Sequence, residues 1–181
     1  IPRVGALGVD GAGQHADHRV HQLFLCCQQI VVLERNGRLC RERLDETVRR
    51  FAPDLVGISL TSSYYPVTRE ITAHLASAYH LPVVLGGIHP TLMPEESIET
   101  PGVFGICIGE GEYPMLELCD ALSRGADPTG IANLWVRHNG KVFRNELRPL
   151  IRDLDALPFP DRDLFNFNQL LKQYPEAEFM G

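Results

Sequence analysis

Three short segments of the sequence carry side chains suited to holding a small molecule. The segment 59–65 contains a run of hydroxyl side chains and two tyrosines, which offer hydrogen-bonding groups beside flat walls. The segment 86–94 opens with two adjacent glycines, which let a ligand or another backbone approach the chain closely. The segment 109–113 combines two more glycines with two carboxylates. Helix capping explains the hydroxyls equally well and is the ordinary role of the carboxylates.

The candidate binding residues all come from these three segments. His89 is able to hydrogen-bond a ligand or ligate a metal, although a histidine without partners at ligand spacing is more often structural. No nucleophile stands at a legible spacing from a base, so we expect no catalytic residue. The cysteines show no spacing typical of a zinc or iron–sulfur site, so we expect no metal ligand. The candidates are Ser59, Thr61, Ser62, Ser63, Tyr64, Gly86, Gly87, His89, Pro90, Gly109, Glu110, Gly111 and Glu112.

Each of the three segments directly follows a short apolar run that is typical of a buried β-strand. These runs are continuous rather than alternating, which indicates burial on both faces of a parallel sheet. A fourth run of the same kind lies nearer the N-terminus. The predicted strands are 30–33, 55–60, 82–85 and 104–108.

Helical spacing of apolar residues separates these strands, over 41–51, 66–79 and 113–123. The stretch 88–101 lacks such a period, and we expect an irregular chain there with at most one helical turn, over PEESIE at 94–99. The alternation predicts an α/β fold: a flavodoxin-like, Rossmann-type doubly wound parallel sheet with helices on both faces. Ligands of such sheets bind where loops leave the carboxyl ends of the strands, so the three segments should form one binding face.

The pattern changes in the C-terminal part of the chain. Residues 134–137 and 141–144 flank a His-Asn-Gly turn, which predicts a C-terminal β-hairpin. The segment DLDALPFPDRDLF that follows is rich in Asp and Pro and suits an extended arm. We therefore divide the chain into a flavodoxin-like domain over 1–130 and a hairpin with a linker over 131–181.

The bulk composition excludes several classes of partner. The net charge is −6 and the basic residues are scattered, which argues against a nucleic-acid partner. No apolar run approaches the roughly 20 residues that cross a bilayer, and no signal peptide is legible, so we expect no membrane partner. The five cysteines form no disulfide framework and lie mostly among apolar residues, which predicts buried thiols and a cytoplasmic location.

The order of the loops resembles the cobalamin-binding domain at the N-terminus of many radical S-adenosylmethionine enzymes. The matching stretches are PDLVGISLTSSYY, VVLGGIHPTLMPEE and GICIGEGEYPMLELCDAL, followed by the hairpin and DLDALPFPDRDLF. The interval from Ser59 to Gly86 is also similar to the family's spacing between Ser-x-Leu and Gly-Gly, although Thr61 holds the Leu position. Residues 1–29 depart from the family's usual first strand and helix.

The resemblance implies that the chain binds cobalamin and that two loops hold its nucleotide tail. Ser59, Thr61 and Ser62 would line the cleft that takes this tail. Gly86 and Gly87 would give the buried tail room against the sheet. We accordingly expect Gly87→Val to remove cobalamin binding and to leave the fold largely intact.

The resemblance also places His89, Pro90 and the loop 109–112 at the mouth of the cleft, beside the corrin or facing a catalytic domain. The Asp-x-His-x-x-Gly loop that supplies a lower axial histidine in cobalamin-dependent mutases is absent. We therefore expect no histidine of this chain to coordinate cobalt. Pro90 should restrict His89 to an extended backbone, and a hydrogen bond to the cofactor is then more plausible than a cobalt bond.

In the family, an iron–sulfur cluster and S-adenosylmethionine belong to a radical catalytic domain, which is missing from this sequence. We expect the chain alone to bind or position cobalamin and to catalyse nothing. The resemblance implies that the parent enzyme performs methyl transfer or another radical alteration of an organic substrate. Two alternatives stay open: a protein-interaction module that has lost its cofactor, and a flavin or nucleotide binder of the same fold.

Overall fold

The computed structural model of the protein describes residues 40–158. The strand predicted at 30–33, the unusual segment 1–29 and the chain from residue 159 onward lie outside the described residues. No helix in the described part of the chain is long and apolar enough to cross a membrane.

One mixed sheet of five strands forms the centre of the described region, in the order β1-β2-β3-β4-β5. The first three strands are parallel, and β4 and β5 continue the sheet in the antiparallel sense. The prediction of parallel strands is therefore confirmed for the three predicted strands that the structure describes. The strands are β1 (Val56–Ser59), β2 (Val83–Gly86), β3 (Val103–Cys107), β4 (Leu134–His138) and β5 (Lys141–Arg144).

Helices fill the connections between the strands. The three longer helices agree with the predicted ones to within a residue at each end, and their last turns finish in the left-handed conformation, at Gly125 for example. Short 3-10 turns cover Ser62–Tyr64 and Leu154–Ala156. The α-helices are α1 (Arg41–Phe51), α2 (Tyr65–Tyr79), α3 (Ile88–Leu92), α4 (Pro94–Ile98) and α5 (Glu112–Arg124).

The helical turn expected over 94–99 is confirmed by α4, but the irregular chain expected before it is wrong, because α3 occupies Ile88–Leu92. Five-residue helices are too short to show an apolar period. Local chemistry supports them instead: Pro94 stands in the first turn of α4, where no backbone N–H is needed. The Thr91 and Ser97 hydroxyls donate hydrogen bonds to carbonyl oxygens four residues earlier, at 2.8 Å in both cases.

Two hydrophobic clusters lie on opposite faces of the sheet, so helices cover both faces as predicted. Side chains of a strand alternate between faces, and within β2 Leu85 belongs to the first cluster while Val84 belongs to the second. The first cluster includes Leu75 of α2 and Ile98 of α4. The second includes Leu118 of α5. The flavodoxin-like α/β architecture is thereby confirmed.

The predicted hairpin is also confirmed, and it joins the edge of the same sheet. Asn139 and Gly140 both have positive φ, 50° and 74°, as the tightest hairpin turns require. Arg144 of β5 forms a paired ion contact with Glu95 of α4, with Nη2 2.8 Å from Oε2. The hairpin is thus held to the helical layer as well as to β3.

Candidate binding cleft

A cleft of about 240 Å³ opens at the carboxyl ends of β1, β2 and β3, beside the start of α5. The three parallel strands bring their following loops to one edge, as expected for this fold. Seven of the thirteen candidate residues line this cleft. They are Ser59, Gly86, Gly87, Gly109, Glu110, Gly111 and Glu112.

The other six candidates do not line the cleft. The loop after β1 turns into a short 3-10 helix at the sheet edge, and its side chains are exposed there. His89 and Pro90 are buried in α3. The six residues are Thr61, Ser62, Ser63, Tyr64, His89 and Pro90.

His89 is packed into the protein rather than presented at the cleft mouth. Its side chain is 5% exposed, its Nδ1 lies 3.1 Å from Ser62 Oγ, and its ring stacks on Tyr65 at 4.2 Å between centroids. The predicted extended backbone is wrong, since His89 lies within helix α3. Its N–H donates to Leu60 O at 3.2 Å, and this contact with the ring packing outweighs the local preference imposed by Pro90.

The two adjacent glycines at the end of β2 do different things. Gly87 has φ +91°, and a Cβ there would lie 2.8 Å from Ser59 Oγ and 2.9 Å from Leu60 O. The fold itself requires this glycine, so Gly87→Val would disturb the loop packing, contrary to the expectation of an intact fold. A Cβ on Gly86 would meet only Cys107 Cβ, at 3.9 Å. Gly86 is therefore the glycine whose missing side chain leaves room in the cleft.

The charges in the cleft come from two carboxylates. Glu110 is satisfied, because its Oε2 accepts a hydrogen bond from the Ile151 N–H at 2.7 Å. Glu112 Oε2 is buried and accepts no hydrogen bond from the described residues. No Lys, Arg or His side chain is among the residues that line the cleft in the described part of the chain. The cleft consequently favours a neutral or cationic group that donates hydrogen bonds.

Cys107 forms part of the apolar wall of the cleft. Burial, aided by the nearby negative charge of Glu112, raises the pKa of the Cys107 thiol to about 12. The thiol is therefore protonated at neutral pH and is a poor nucleophile or metal ligand. The described residues contain no cluster of His, Cys, Asp and Glu that could hold a metal ion.

Five residues of the cleft lining were not among the candidates, because they lie inside elements rather than in loops. A glycine within an apolar strand marks a place where a ligand or backbone can approach, so the first of them was detectable. The others have ordinary core side chains and carry no local signal. They are Gly57, Ile58, Val84, Cys107 and Met115.

An apolar rim surrounds the same edge of the sheet. Its side chains belong to the connections that follow β1, β2 and β3, and each is between 41% and 67% exposed. Large apolar groups gathered at one edge are typical of a surface that another molecule covers. The apolar rim consists of Tyr64, Ile88, Leu92, Met93 and Tyr113.

Comparison with known families identifies the fold as one that takes a corrinoid. Residues 1–119 match the family model described as the B12 binding domain. The chain belongs to this family. The flavodoxin-like sheet, the glycine-floored cleft and the apolar rim are therefore features of a B12-binding domain.

Two curated relatives are larger proteins with named activities. An uncharacterized methyltransferase of Pyrococcus horikoshii is 39% identical over 122 residues, which are 65% of this chain and 26% of the relative. The anaerobic magnesium-protoporphyrin IX monomethyl ester cyclase of Rubrivivax gelatinosus is 30% identical over 139 residues, 74% of this chain and 25% of the relative. The B12-binding domain thus spans about a quarter of the length of these relatives.

Solved structures of cobalamin-dependent radical enzymes share the fold. The radical S-adenosylmethionine methyltransferase TsrM from Kitasatospora setae, solved with cobalamin and a [4Fe-4S] cluster, is 26% identical with a TM-score of 0.54. The match covers 66% of this chain and 23% of TsrM. The cobalamin-dependent radical enzyme OxsB, with aqua-cobalamin and S-adenosylmethionine bound, has a TM-score of 0.59 over 69% of this chain and 18% of its own. At 20% identity, OxsB supports the fold alone.

The arm after the hairpin is tied to the cleft of the B12-binding domain. Besides the Glu110 contact with Ile151, Asn133 bridges the two segments from its position before β4: its Nδ2 donates to Glu110 O at 3.2 Å and its Oδ1 accepts from the Arg148 N–H. Arg148 forms a paired ion contact with Glu117 of α5, with Nη1 2.8 Å from Oε1. The loop that lines the cleft and the start of the arm are consequently held as one unit.

Proposed function

We propose that this chain is the cobalamin-carrying module of a larger radical S-adenosylmethionine enzyme, with the nucleotide tail in the cleft and the corrin over the apolar rim. The observation that carries the proposal is the open cleft at Gly86, at the carboxyl edge of a sheet that belongs to the B12-binding family. The B12-binding domain fold and the cobalamin-bound TsrM structure support the same cofactor.

The residues of the cleft fit the flat, neutral benzimidazole base of the tail, with the anionic phosphodiester kept away from Glu110 and Glu112. The backbone of Gly86 and Gly111 would form a floor without side chains, while Val84 and Met115 would contact the apolar base. At the polar end, the Ser59 hydroxyl would donate or accept a hydrogen bond and the Glu112 carboxylate would accept one. Bound cobalamin supplies a cobalt centre that can carry a methyl group.

The apolar rim would support the macrocycle from below. The protein would then contribute binding, orientation and exclusion of water around the cobalt, rather than an axial ligand. His89 is packed beneath the edge with Nδ1 against Ser62, which supports the prediction that it does not coordinate cobalt. Thr61, Ser63 and Tyr64 would contact the outer edge of the corrin from the loop after β1.

The parent protein would add a radical catalytic domain that holds the iron–sulfur cluster and S-adenosylmethionine. Lengths of the relatives, about four times the matched segment, support this arrangement. In it, residues 1–130 form the cofactor domain and residues 131–181 lead toward the catalytic domain. The parent would catalyse methyl transfer or a related radical reaction. The thiols of Cys40 and Cys107 are not joined in a disulfide, which suits a cytoplasmic location.

A flavin or nucleotide binder of the same fold is the rival function. Such ligands end in phosphate, which sheet-edge loops hold with backbone N–H groups, hydroxyls or cations. Glu110 and Glu112 would repel this phosphate, and no cation lines the described cleft. The acidic lining therefore disfavours the doubly charged phosphate monoester of flavin mononucleotide more strongly than the singly charged phosphodiester of the cobalamin tail.

Equilibrium dialysis of the full chain tests the proposal. The chain is dialysed against hydroxocobalamin and, separately, against flavin mononucleotide, and the bound ligand is read by visible absorption. We expect one cobalamin and no flavin per folded chain. Retention of flavin without cobalamin would show that the chain is a flavin or nucleotide binder instead. Retention of neither, with circular dichroism showing a folded domain, would favour the protein-interaction module.

A further inference from the structure

The carboxylate of Glu112 is unusually shielded from solvent for a residue at the start of a helix. A glutamate in the first turn ordinarily reaches solvent, where water and the helix dipole stabilise its charge. Glu112 is the first residue of α5, but its Oε2 is shielded from solvent and receives no hydrogen bond from the described residues. An ionised oxygen in that position lowers the stability of the protein.

Its neighbour in the same loop shows that this arrangement is not forced by the fold. Glu110, two residues earlier, also lines the cleft, and its Oε2 accepts the Ile151 N–H at 2.7 Å. Glu112 makes no such hydrogen bond within the described part of the chain, and its negative charge is near enough to the Cys107 thiol to help raise the pKa of that thiol. One carboxylate thus holds the arm, whereas the other, also in the cleft lining, has a buried oxygen without a hydrogen-bond partner among the described residues.

The groups around Glu112 determine which hydrogen-bond donor can pair with its carboxylate. The adjacent Gly111 has no side chain, and the nearest groups to a Cβ built there are Cys107 Sγ at 3.7 Å and Met115 Cγ at 3.8 Å. Neither group neutralises a carboxylate, and Arg148, whose charge also reaches the Cys107 thiol, is paired with Glu117 and is not part of the lining. A ligand with a neutral O–H or N–H group would supply the donor that the described residues lack, and an anionic ligand group next to this oxygen would be repelled.

We propose that Glu112 is a specificity residue of the cleft, whose carboxylate accepts a hydrogen bond from a neutral O–H or N–H donor of the corrinoid. This inference rests on the proposed function and deepens it. The donor is either a hydroxyl of the ribose in the nucleotide tail or an amide of a corrin side chain. Both present the same chemistry to Glu112, and cobinamide, which lacks the nucleotide, distinguishes them.

The test compares the full chain with Glu112→Ala, Glu112→Gln and Glu46→Gln by equilibrium dialysis with hydroxocobalamin and with cobinamide. Glu46 is an exposed residue of α1 outside the cleft, so its variant removes the same charge from the protein without changing the site. We expect the Kd for cobalamin to rise by about tenfold or more in Glu112→Ala. Glu112→Gln should weaken binding less, because the amide oxygen still accepts, and Glu46→Gln should leave the Kd unchanged.

The cobinamide arm assigns the donor. If the ribose hydroxyl is the donor, Glu112→Ala and the unaltered chain bind cobinamide equally. If a corrin amide is the donor, Glu112→Ala binds cobinamide more weakly than the unaltered chain does. Glu112→Gln is isosteric and keeps the experiment decisive if Glu112→Ala does not fold. Equal cobalamin binding by the unaltered chain and both folded Glu112 variants overturns the role of Glu112 and leaves the proposed function standing. Absence of cobalamin binding by the unaltered chain overturns both.

Discussion

At the scale of single residues, the two glycines that end β2 separate a structural role from a binding role. Gly87 holds a positive φ against the backbone of Leu60, and Gly86 opens onto the cleft. The sequence predicts that a glycine pair at a strand end matters, but not which member faces the ligand. That distinction depends on the Cβ direction and on the neighbouring loop, which only the folded chain defines.

Gly86→Val should therefore fill the cleft while preserving the strand. Valine is favoured in strands, and the new side chain meets no atom closer than 3.9 Å at its Cβ. We expect the Kd for hydroxocobalamin to rise by about tenfold or more, since overpacking of a fitted site costs about 1–3 kcal/mol. Gly130→Val is the matched control, because nothing lies within 4 Å of a Cβ there. Equal affinities of the two variants for hydroxocobalamin would show that Gly86 does not lie in the binding site.

Cys107 offers a measurement of the electrostatics inside the cleft. Its pKa of about 12 predicts that alkylation by iodoacetamide accelerates with pH up to about 12, because the thiolate is the reactive form. Peptide mapping by mass spectrometry separates Cys107 from the partly exposed Cys40, which should react faster near neutral pH. A Cys107 rate that levels off near the ordinary thiol pKa of about 8.5 would contradict this environment.

At the scale of elements, the long helices and the parallel strands follow from apolar spacing, and their bounds agree with the sequence to within about one or two residues. The short helices α3 and α4 do not, because their stability comes from hydroxyl and proline chemistry and from packing on β3. Burial of His89 was missed for the same reason. Its partners Ser62 and Tyr65 lie across the sheet edge, beyond the reach of a local pattern.

The link between the cleft loop and the arm leads to an element-scale prediction. Glu110→Ala removes the acceptor of the Ile151 N–H, so hydrogen exchange at that amide should accelerate by about tenfold. The Arg148 N–H, which donates to Asn133 Oδ1, is an internal reference and should change less. Glu146→Ala serves as the control on the exposed side of the arm. Unchanged exchange at Ile151 would show that the arm is held by other contacts.

At the scale of the whole molecule, fold and family were accessible from the sequence because the order of loop motifs is specific to a B12-binding domain. The location of the cleft also followed, since parallel strands place their loops at one edge. The full set of residues that line the cleft could not be predicted from the sequence. The cleft lining also contains Gly57, Val84 and Met115, which strand register and helix packing bring there. No local sequence motif indicates this register or packing.

We expect the cleft beside Gly86 to receive the nucleotide tail of cobalamin. A crystal structure of the full chain with hydroxocobalamin tests it most directly. We predict that the benzimidazole base leaves the cobalt and lies in van der Waals contact with Gly86 and Gly111, with a ribose or amide donor at Glu112. A base that still coordinates cobalt, or a tail that lies outside the lining of this cleft, would contradict the account.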